Sequence, residues 1–240
     1  MSKAQSIKNK ICTVIVAAYK AEPYIEEAIK SILSQDLPSG WKLELIVGID
    51  SCPSTYNRIK KIKNDSLSIY MMSKNSGTYT TFNTMFSFCN GDIICRFDAD
   101  DIMCPGYLTS TISCLNRCSF TRYKFQWIDV EGRKQKKWGI SHGQISFKRE
   151  VWEKLGGFQP WKCGADTDFC YRAEMKFKSR TMQNKAYFLR RQAPGQLTQT
   201  GKTGYGSPYR SERNQQIKRM QKTRLMFKVV PLIAPCKKVS

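Results

Sequence analysis

A single α/β domain built on a doubly wound, mainly parallel sheet with helices on both faces is the fold this 240-residue sequence predicts. Two observations carry the prediction. Through the first hundred residues, apolar β-branched runs alternate with amphipathic stretches, and the runs are continuous, as in strands buried on both faces. Polar or aromatic residues also gather where each run stops, along the rim where such sheets bind ligands.

The first strand is Ile11-Cys-Thr-Val-Ile-Val-Ala17. A helix follows over 24–33, with Pro23 suited to its first position. Ile25, Ala28, Ile29 and Ile32 form its apolar stripe, and Glu26 and Lys30 a surface pair. Pro38 and Gly40 stop it. Leu43–Ile49 is a second buried strand ending at Asp50. A helix around 55–63, a strand over Leu67–Met72 and a helix over Thr78–Cys89 lead to a fourth strand at 93–97. After Pro105 the pattern changes. A helix near 107–117 precedes an alternating strand, Thr121–Val130, whose turn at Glu131-Gly132-Arg133 implies a partner strand beyond it. Short elements come next: a strand at Gln144–Phe147, helices at Arg149–Leu155 and Asp166–Phe177, and a last strand at Ala186–Arg190. Residues 193–208, rich in Gly, Thr, Gln and Ser, read as a mobile loop. A basic tail from Glu212 has Ile217, Met220, Met226 and Phe227 as its apolar anchors.

An apolar fraction of 41% with 12 Phe argues against disorder. No apolar run reaches the roughly 18–20 residues that span a bilayer. The amino terminus has charge but no apolar stretch behind it, so no signal peptide is expected. Ten scattered cysteines without a Cys-x-x-Cys pair fit buried, reduced thiols in the cytoplasm rather than a zinc site. The charge is asymmetric. Residues 1–101 carry 12 Lys and Arg against 11 Asp and Glu, whereas residues 102–240 carry 28 against 8, which calls for an anionic partner of the second half.

The densest chemistry lies in Phe97-Asp98-Ala99-Asp100-Asp101, at the end of the fourth strand. Asp98 and Asp100 share a face, and two such carboxylates are a common seat for Mg²⁺ or Mn²⁺ beside phosphates. Asp is also favoured in turns and helix caps, so the cluster alone decides nothing. The rim rule sets Ala17-Ala18-Tyr19 and Asp50-Ser51 alongside it.

The order of these features resembles the family-2 glycosyltransferases of the GT-A fold, over roughly 11–175. The resemblance rests on Ala17-Ala18-Tyr19-Lys20, Ile49-Asp50-Ser51, Asn75-Ser76-Gly77 with Asn83, Gly91-Asp92 with Asp98-Ala99-Asp100-Asp101, Gly156-Gly157-Phe158, and Gly164-Ala165-Asp166-Thr167-Asp168 with Arg172. It departs from the family in having one Asp after the second strand and Ala165 where a Glu is usual. It implies a Rossmann-like nucleotide-binding half at 11–101 and an acceptor half at 102–192. An amino-terminal arm (1–10) and a flexible loop with a basic extension (193–240) flank them. The implied activity is a metal-dependent, inverting transfer of a sugar from a nucleotide-sugar, a UDP-sugar by preference, to a glycan or lipid-linked acceptor.

The implied roles go residue by residue. Ala17, Tyr19, Asp50, Asn75, Asp98 and Ala99 would hold the nucleotide: Tyr19 by stacking, Asp50 by accepting a base N–H, Asp98 through ribose or metal-bound water. Asp100, with Asp98, would bind Mn²⁺ or Mg²⁺, and Asp101 would cap the following turn. Asp166 would be the general base, with Asp168 as competitor and a helix cap as the structural alternative. Trp161 and His142 are acceptor-side candidates; a loop anchor and a structural hydrogen bond are their plainer readings.

Three rivals are weighed. The glycines of Gly195–Thr203 have five residues between them where a phosphate loop needs four, so no ATPase is expected, though the loop and its Lys202 could close over a diphosphate. A nucleic-acid binder would explain the basic half but not an acidic cluster at a strand end, so no nucleic-acid partner is expected. A nucleotidyltransferase lacks its Gly-rich first loop. The basic tail, finally, reads as a helix over 212–230 lying on an anionic membrane, or else as one packed back on the domain.

Overall fold

The computed structural model describes residues 9–193, 196–224 and 227–240. Most of the expected amino-terminal arm, Pro194, Gly195 and the tail anchor Met226 lie outside the described residues.

The first half follows the apolar periodicity. Strands β1 (Lys10–Ala18), β2 (Trp41–Ile49), β3 (Leu67–Met72) and β4 (Ile93–Asp98) pair in parallel in the order β3-β2-β1-β4. Helices α1 (Ile25–Leu33), α2 (Pro53–Ile59) and α3 (Thr78–Phe86) connect them. In α1 the stripe Ile25, Ala28, Ile29 and Ile32 is buried as expected, and Lys30 meets Glu26 at 2.8 Å. Pro23 stands ahead of this helix rather than at its first position.

The second half holds β5 (Ile102–Met103), α4 (Tyr107–Leu115), β6 (Phe120–Ile128), β7 (Lys134–Lys148), α5 (Arg149–Leu155), α6 (Ala165–Lys176), β8 (Ser179–Met182) and β9 (Phe188–Arg191). The expected short strand at Gln144–Phe147 is the end of the 15-residue β7, which pairs antiparallel with both β4 and β6. β6 also runs parallel to β8 and β9. Helices cover both faces. Packed on one are α1, α2 and α4, through Ile25, Ile29, Ile59, Leu108 and Ile112; on the other α3, α5 and α6, through Phe82, Met85, Trp152, Leu155 and Phe169.

Of the two expected placements of the basic tail, its helix takes the one packed back on the domain. Helix α7 (Pro208–Thr223) buries Ile217 and Met220 against Tyr171, whose hydroxyl donates to the Met220 carbonyl at 2.7 Å. Phe227 packs on the same cluster. Within α7, then, the apolar residues Ile217 and Met220 are turned toward α6. Beyond it Val229 bridges Gly156, and β10 (Cys236–Lys238) pairs antiparallel with β3, so Ala186–Arg190 is not the last strand. Among the described residues no helix is long and apolar enough to cross a membrane.

Candidate active site

The parallel strands stop along one rim, and the chain there takes up strained backbone. Lys20 after β1 and Ser51 after β2 have φ of 51° and 54°, unusual for residues other than glycine. They flank a cleft of about 670 Å³ lined by Ala17, Tyr19, Asp50, Asn75, Asp98, Ala99 and Asp100. On its far wall stand Gly143, Asp166, Arg190 and Arg210. Every expected nucleotide-side residue therefore lies on one cavity, and Asp166 lies across it.

Tyr19 is 48% exposed at the mouth, with the Lys20 ammonium 5.5 Å from its ring centre. Asp50 is buried, and its two carboxylate oxygens accept the backbone N–H groups of Ser76 (2.7 Å) and Gly77 (2.8 Å). Its visible work is to fix the Asn75–Gly77 turn against the end of β2.

The three carboxylates of the acidic cluster occupy different surroundings. Asp98 pairs with Arg96 at 2.9 Å and accepts the Gln144 amide at 2.8 Å. Asp100 accepts the Gln196 amide at 2.6 Å. Burial, then the Asp98 charge, raises its pKa above the ordinary carboxylate value. Asp101 does not cap the next turn. It is almost fully buried, accepting the Arg191 N–H at 2.9 Å and the Gln144 amide, because β7 and β9 close over it. Burial and then the charges of Asp100 and Asp98 push its pKa well up.

The far wall depends on an irregularity in β7. Arg122 pairs with Ile145 and Lys124 with Ile140, so β7 advances five residues while β6 advances two. Such bulges re-aim side chains beside active sites. This one turns Gln144 onto Asp98 and Asp101, with its own amide oxygen accepting the Ser141 hydroxyl at 2.8 Å. It also brings the Gly143 carbonyl to the Arg96 guanidinium at 2.6 Å. A Cβ at Gly143 would lie 3.3 Å from an Asp98 oxygen and 3.6 Å from Asp166 Oδ2. The two carboxylates thus face each other across a space that a larger side chain would fill.

Asp166 sits in the first turn of α6. Its Oδ1 accepts the Thr167 N–H at 2.9 Å, and Oδ2 is the oxygen on the Gly143 side. Burial and then the Asp166 charge push the Tyr79 phenol well above its usual range, so it stays protonated beside that carboxylate.

The other acceptor-side candidates are elsewhere. Asp168 is fully buried and its Oδ2 meets Arg172 at 2.9 Å, so it cannot reach a substrate. That guanidinium also donates to the carbonyls of Leu155 and Gly157, tying α6 to the Gly156-Gly157 turn. Trp161 is a half-buried anchor under α7, with Arg213 stacked 5.2 Å from its ring. His142 bonds Arg122 at 2.9 Å and does not line the cleft. Lys202 is exposed; Gln196, Leu197 and Thr198 are the loop residues on the cavity. Arg96, Gln144, Arg190 and Arg210 were not found from sequence. Arg96 alone left a signal, two residues before Asp98 and hence on its side of the strand.

A parallel half-sheet with a nucleotide-sized rim cleft and an antiparallel flank is the GT-A architecture. Among solved structures the chain is similar to TarS from S. aureus, residues 1–349, in complex with UDP-GlcNAc: TM-score 0.67 and 19% identity over 78% of this chain and 60% of that one. It is also similar to the mannosyltransferase PcManGT from Pyrobaculum calidifontis in complex with GDP-Man and Mn²⁺: TM-score 0.62 and 21% identity over 91% and 65% of the two chains. These likenesses establish the fold. In sequence it is 33% identical over 110 residues to an uncharacterized glycosyltransferase of Haemophilus influenzae, covering 45% of this chain and 33% of that protein. The chain therefore spans about a third of that curated relative. The family described as Glycosyl transferase family 2 matches residues 13–212, and the chain belongs to it.

Proposed function

We propose that this chain transfers a sugar, with inversion, from a nucleotide-sugar to a hydroxyl of a glycan or lipid-linked acceptor. The observation that carries this is the opposition of Asp98–Asp100 and Asp166 across Gly143, in a cleft whose other side is the nucleotide rim. UDP-sugars are the preferred donor class, because Asp50 would accept the N–H that uracil carries at N3. One solved relative, TarS, has been seen with UDP and with UDP-GlcNAc, which supports a nucleotide-sugar donor; PcManGT, however, was solved with GDP-Man.

Ala17, Tyr19, Asp50 and Asn75 would hold base and ribose, with Tyr19 offering a face to stack on. Arg190 and Arg210 stand on the same cleft as counter-charges for a diphosphate. Among the described residues there is no cluster of three metal-ligating side chains, so a cation would share its coordination with phosphates and water. The donor set fits one. Asp100 and Asp98 are hard oxygen ligands, and their mutual repulsion is relieved by positive charge. Mn²⁺ or Mg²⁺ bound there would supply Lewis-acid stabilisation of the departing nucleoside diphosphate. Asp166 Oδ2 would take the acceptor hydroxyl's proton, while Oδ1 is held by Thr167.

Full-length protein with Mn²⁺ is expected to bind a UDP-sugar and hydrolyse it slowly. Asp100→Ala should remove the metal dependence. Asp166→Asn should keep donor binding and lose transfer by about 100-fold or more, since positioned bases contribute about 10²–10⁴. Absence of metal-dependent binding across a panel of nucleotide sugars would falsify the reading.

A further inference from the structure

The same bulged strand that builds the far wall continues outward. Beyond Ser141 it belongs to a hairpin that rises past the carboxyl end of β4. In an antiparallel pair, directly opposed residues share a face. Ile140 opposes Lys124 and Trp138 opposes Gln126, so these four lie on one face of the hairpin. Phe125 and Tyr123 are buried on the other, in the core beneath α4. The four therefore stand on the α6 side of the sheet, and Asp166 is in the first turn of α6.

This face is exposed and chemically mixed. Trp138 is 49% and Ile140 37% exposed, and the Lys124 ammonium lies 4.7 Å from the Trp138 ring centre. Lys124, Trp138, Gly139, Ile140 and Gln183 line a shallow groove of about 460 Å³. Nearer the cleft, Arg122 holds His142 at 2.9 Å and Glu174 of α6 at 2.8 Å. Residues 120–140 carry six Lys or Arg against two acidic residues, and both acidic ones pair with Arg133 at the turn. From Trp138 to Gly143 is five residues, at most about 17 Å of strand.

We propose that this face is the acceptor track, and that it takes an acidic saccharide chain whose terminal hydroxyl reaches Asp166. The proposal rests on the transferase reading above and names its substrate class. An aromatic ring presents the flat apolar surface that a sugar ring stacks on, and Gln183 can hydrogen-bond hydroxyls. Lys124, which among the described residues has no acidic partner across the groove, favours an anionic chain, and the groove runs along the strand whose Gly143 borders Asp98 and Asp166. A nucleic acid or an anionic membrane would also meet positive charge, and the test separates them.

Full-length protein is titrated by calorimetry with tetragalacturonate as the acidic chain and with maltotetraose as the neutral one. A short single-stranded oligodeoxynucleotide and phosphatidylglycerol vesicles are run in parallel. The acidic chain should bind more tightly than the neutral one, and Trp138→Ala and Lys124→Glu should each weaken it by about tenfold, the loss of one stacked or charged contact. Thermal shift by UDP with Mn²⁺ is the control for folding and for the donor site. If UDP shifts the wild type but tetragalacturonate fails to bind, or binds both variants as well as wild type, the track is wrong and the transferase reading stands. Tighter binding of the oligonucleotide or vesicles, lost in the same two variants, also overturns it. If neither UDP nor any nucleotide sugar of the panel binds with Mn²⁺, the parent reading falls.

Discussion

At the residue scale, one side chain joins both halves of the site. Arg96 is buried, yet its guanidinium pairs with Asp98 at 2.9 Å, donates to the Gly143 carbonyl at 2.6 Å, and lies 5.8 Å from the Tyr79 ring centre. Burial disfavours its charge, but Asp98 more than compensates, and its pKa is raised. Arg96 is thus a positioning residue: it ties Asp98 to the strand that borders Asp166. Arg96→Met should lower kcat on the order of 100-fold, about 2.7 kcal/mol, with a much smaller change in donor KM. Lys at this position should not rescue, since an ammonium cannot span two partners in the planar fork that Arg offers. An unchanged kcat in both variants would remove the role. His142 gives a second residue-scale test. Although its ring reaches solvent, packing around it and then the Arg122 charge lower its pKa below the ordinary 6.5. The folded state therefore binds fewer protons than the unfolded one just below pH 6.5, so this group's contribution to stability falls as pH drops through that window. As the only histidine it gives a single imidazole NMR signal. Its midpoint should lie below 6.5 and move back up in Arg122→Gln.

At the element scale, the first four strands were legible because strands buried on both faces are written as unbroken apolar runs. The cluster at 98–101 was legible because parallel sheets bind ligands at their carboxyl rim. β7 was not, and its fifteen residues read as a turn partner and a separate short strand. The break in pattern at Ser141–Gln144 is the bulge itself, stabilised by contacts to Asp98, Asp101 and Arg96 that no local periodicity records. Helix α6 shows the opposite error. Asp168, the competing candidate for the base in sequence, is instead fully buried with Arg172 at i,i+4, and the pair forms a structural tie to the Leu155–Gly157 turn. Burial raises the pKa of Asp168 and lowers that of Arg172, so each depends on the other to stay charged. Arg172→Met should cost about 3–5 kcal/mol in denaturant unfolding, because it strands a buried carboxylate and two carbonyls. Asp166 should still act in the molecules that remain folded. A loss of activity with unaltered stability would instead return Asp168 to the catalytic candidates.

At the scale of the whole molecule, the carboxyl-terminal tail closes the fold. In sequence it stayed between a membrane surface and packing on the domain, because charge is visible in a composition and sheet pairing by a three-residue strand is not. Cys236-Lys237-Lys238 has no strand signature of its own; it pairs with β3 because that edge would otherwise present unpaired N–H and C=O groups. Val239 and Ser240 extend the contact to Ile69, and the Ala234 N–H donates to the Thr84 hydroxyl at 3.0 Å. At the other end of the segment Val229 approaches Gly156 so closely that a Cβ there would lie 1.7 Å from the Val229 carbonyl oxygen, at a glycine whose φ is 73°. The tail therefore covers both a sheet edge and the turn that Arg172 holds from below. Ending the chain after Arg224 should expose the β3 edge and the Gly156 turn and remove buried Val229 and Ala234, at a cost of about 3 kcal/mol, or roughly 6–12 °C in Tm. The open edge should also make the shortened protein associate, visible by light scattering at concentrations where the full chain stays monodisperse. Donor binding should survive at low temperature, since among the described residues the cleft is lined by none beyond Arg210. An unaltered Tm with no association would mean that the tail is an appendage rather than the last strand of the sheet.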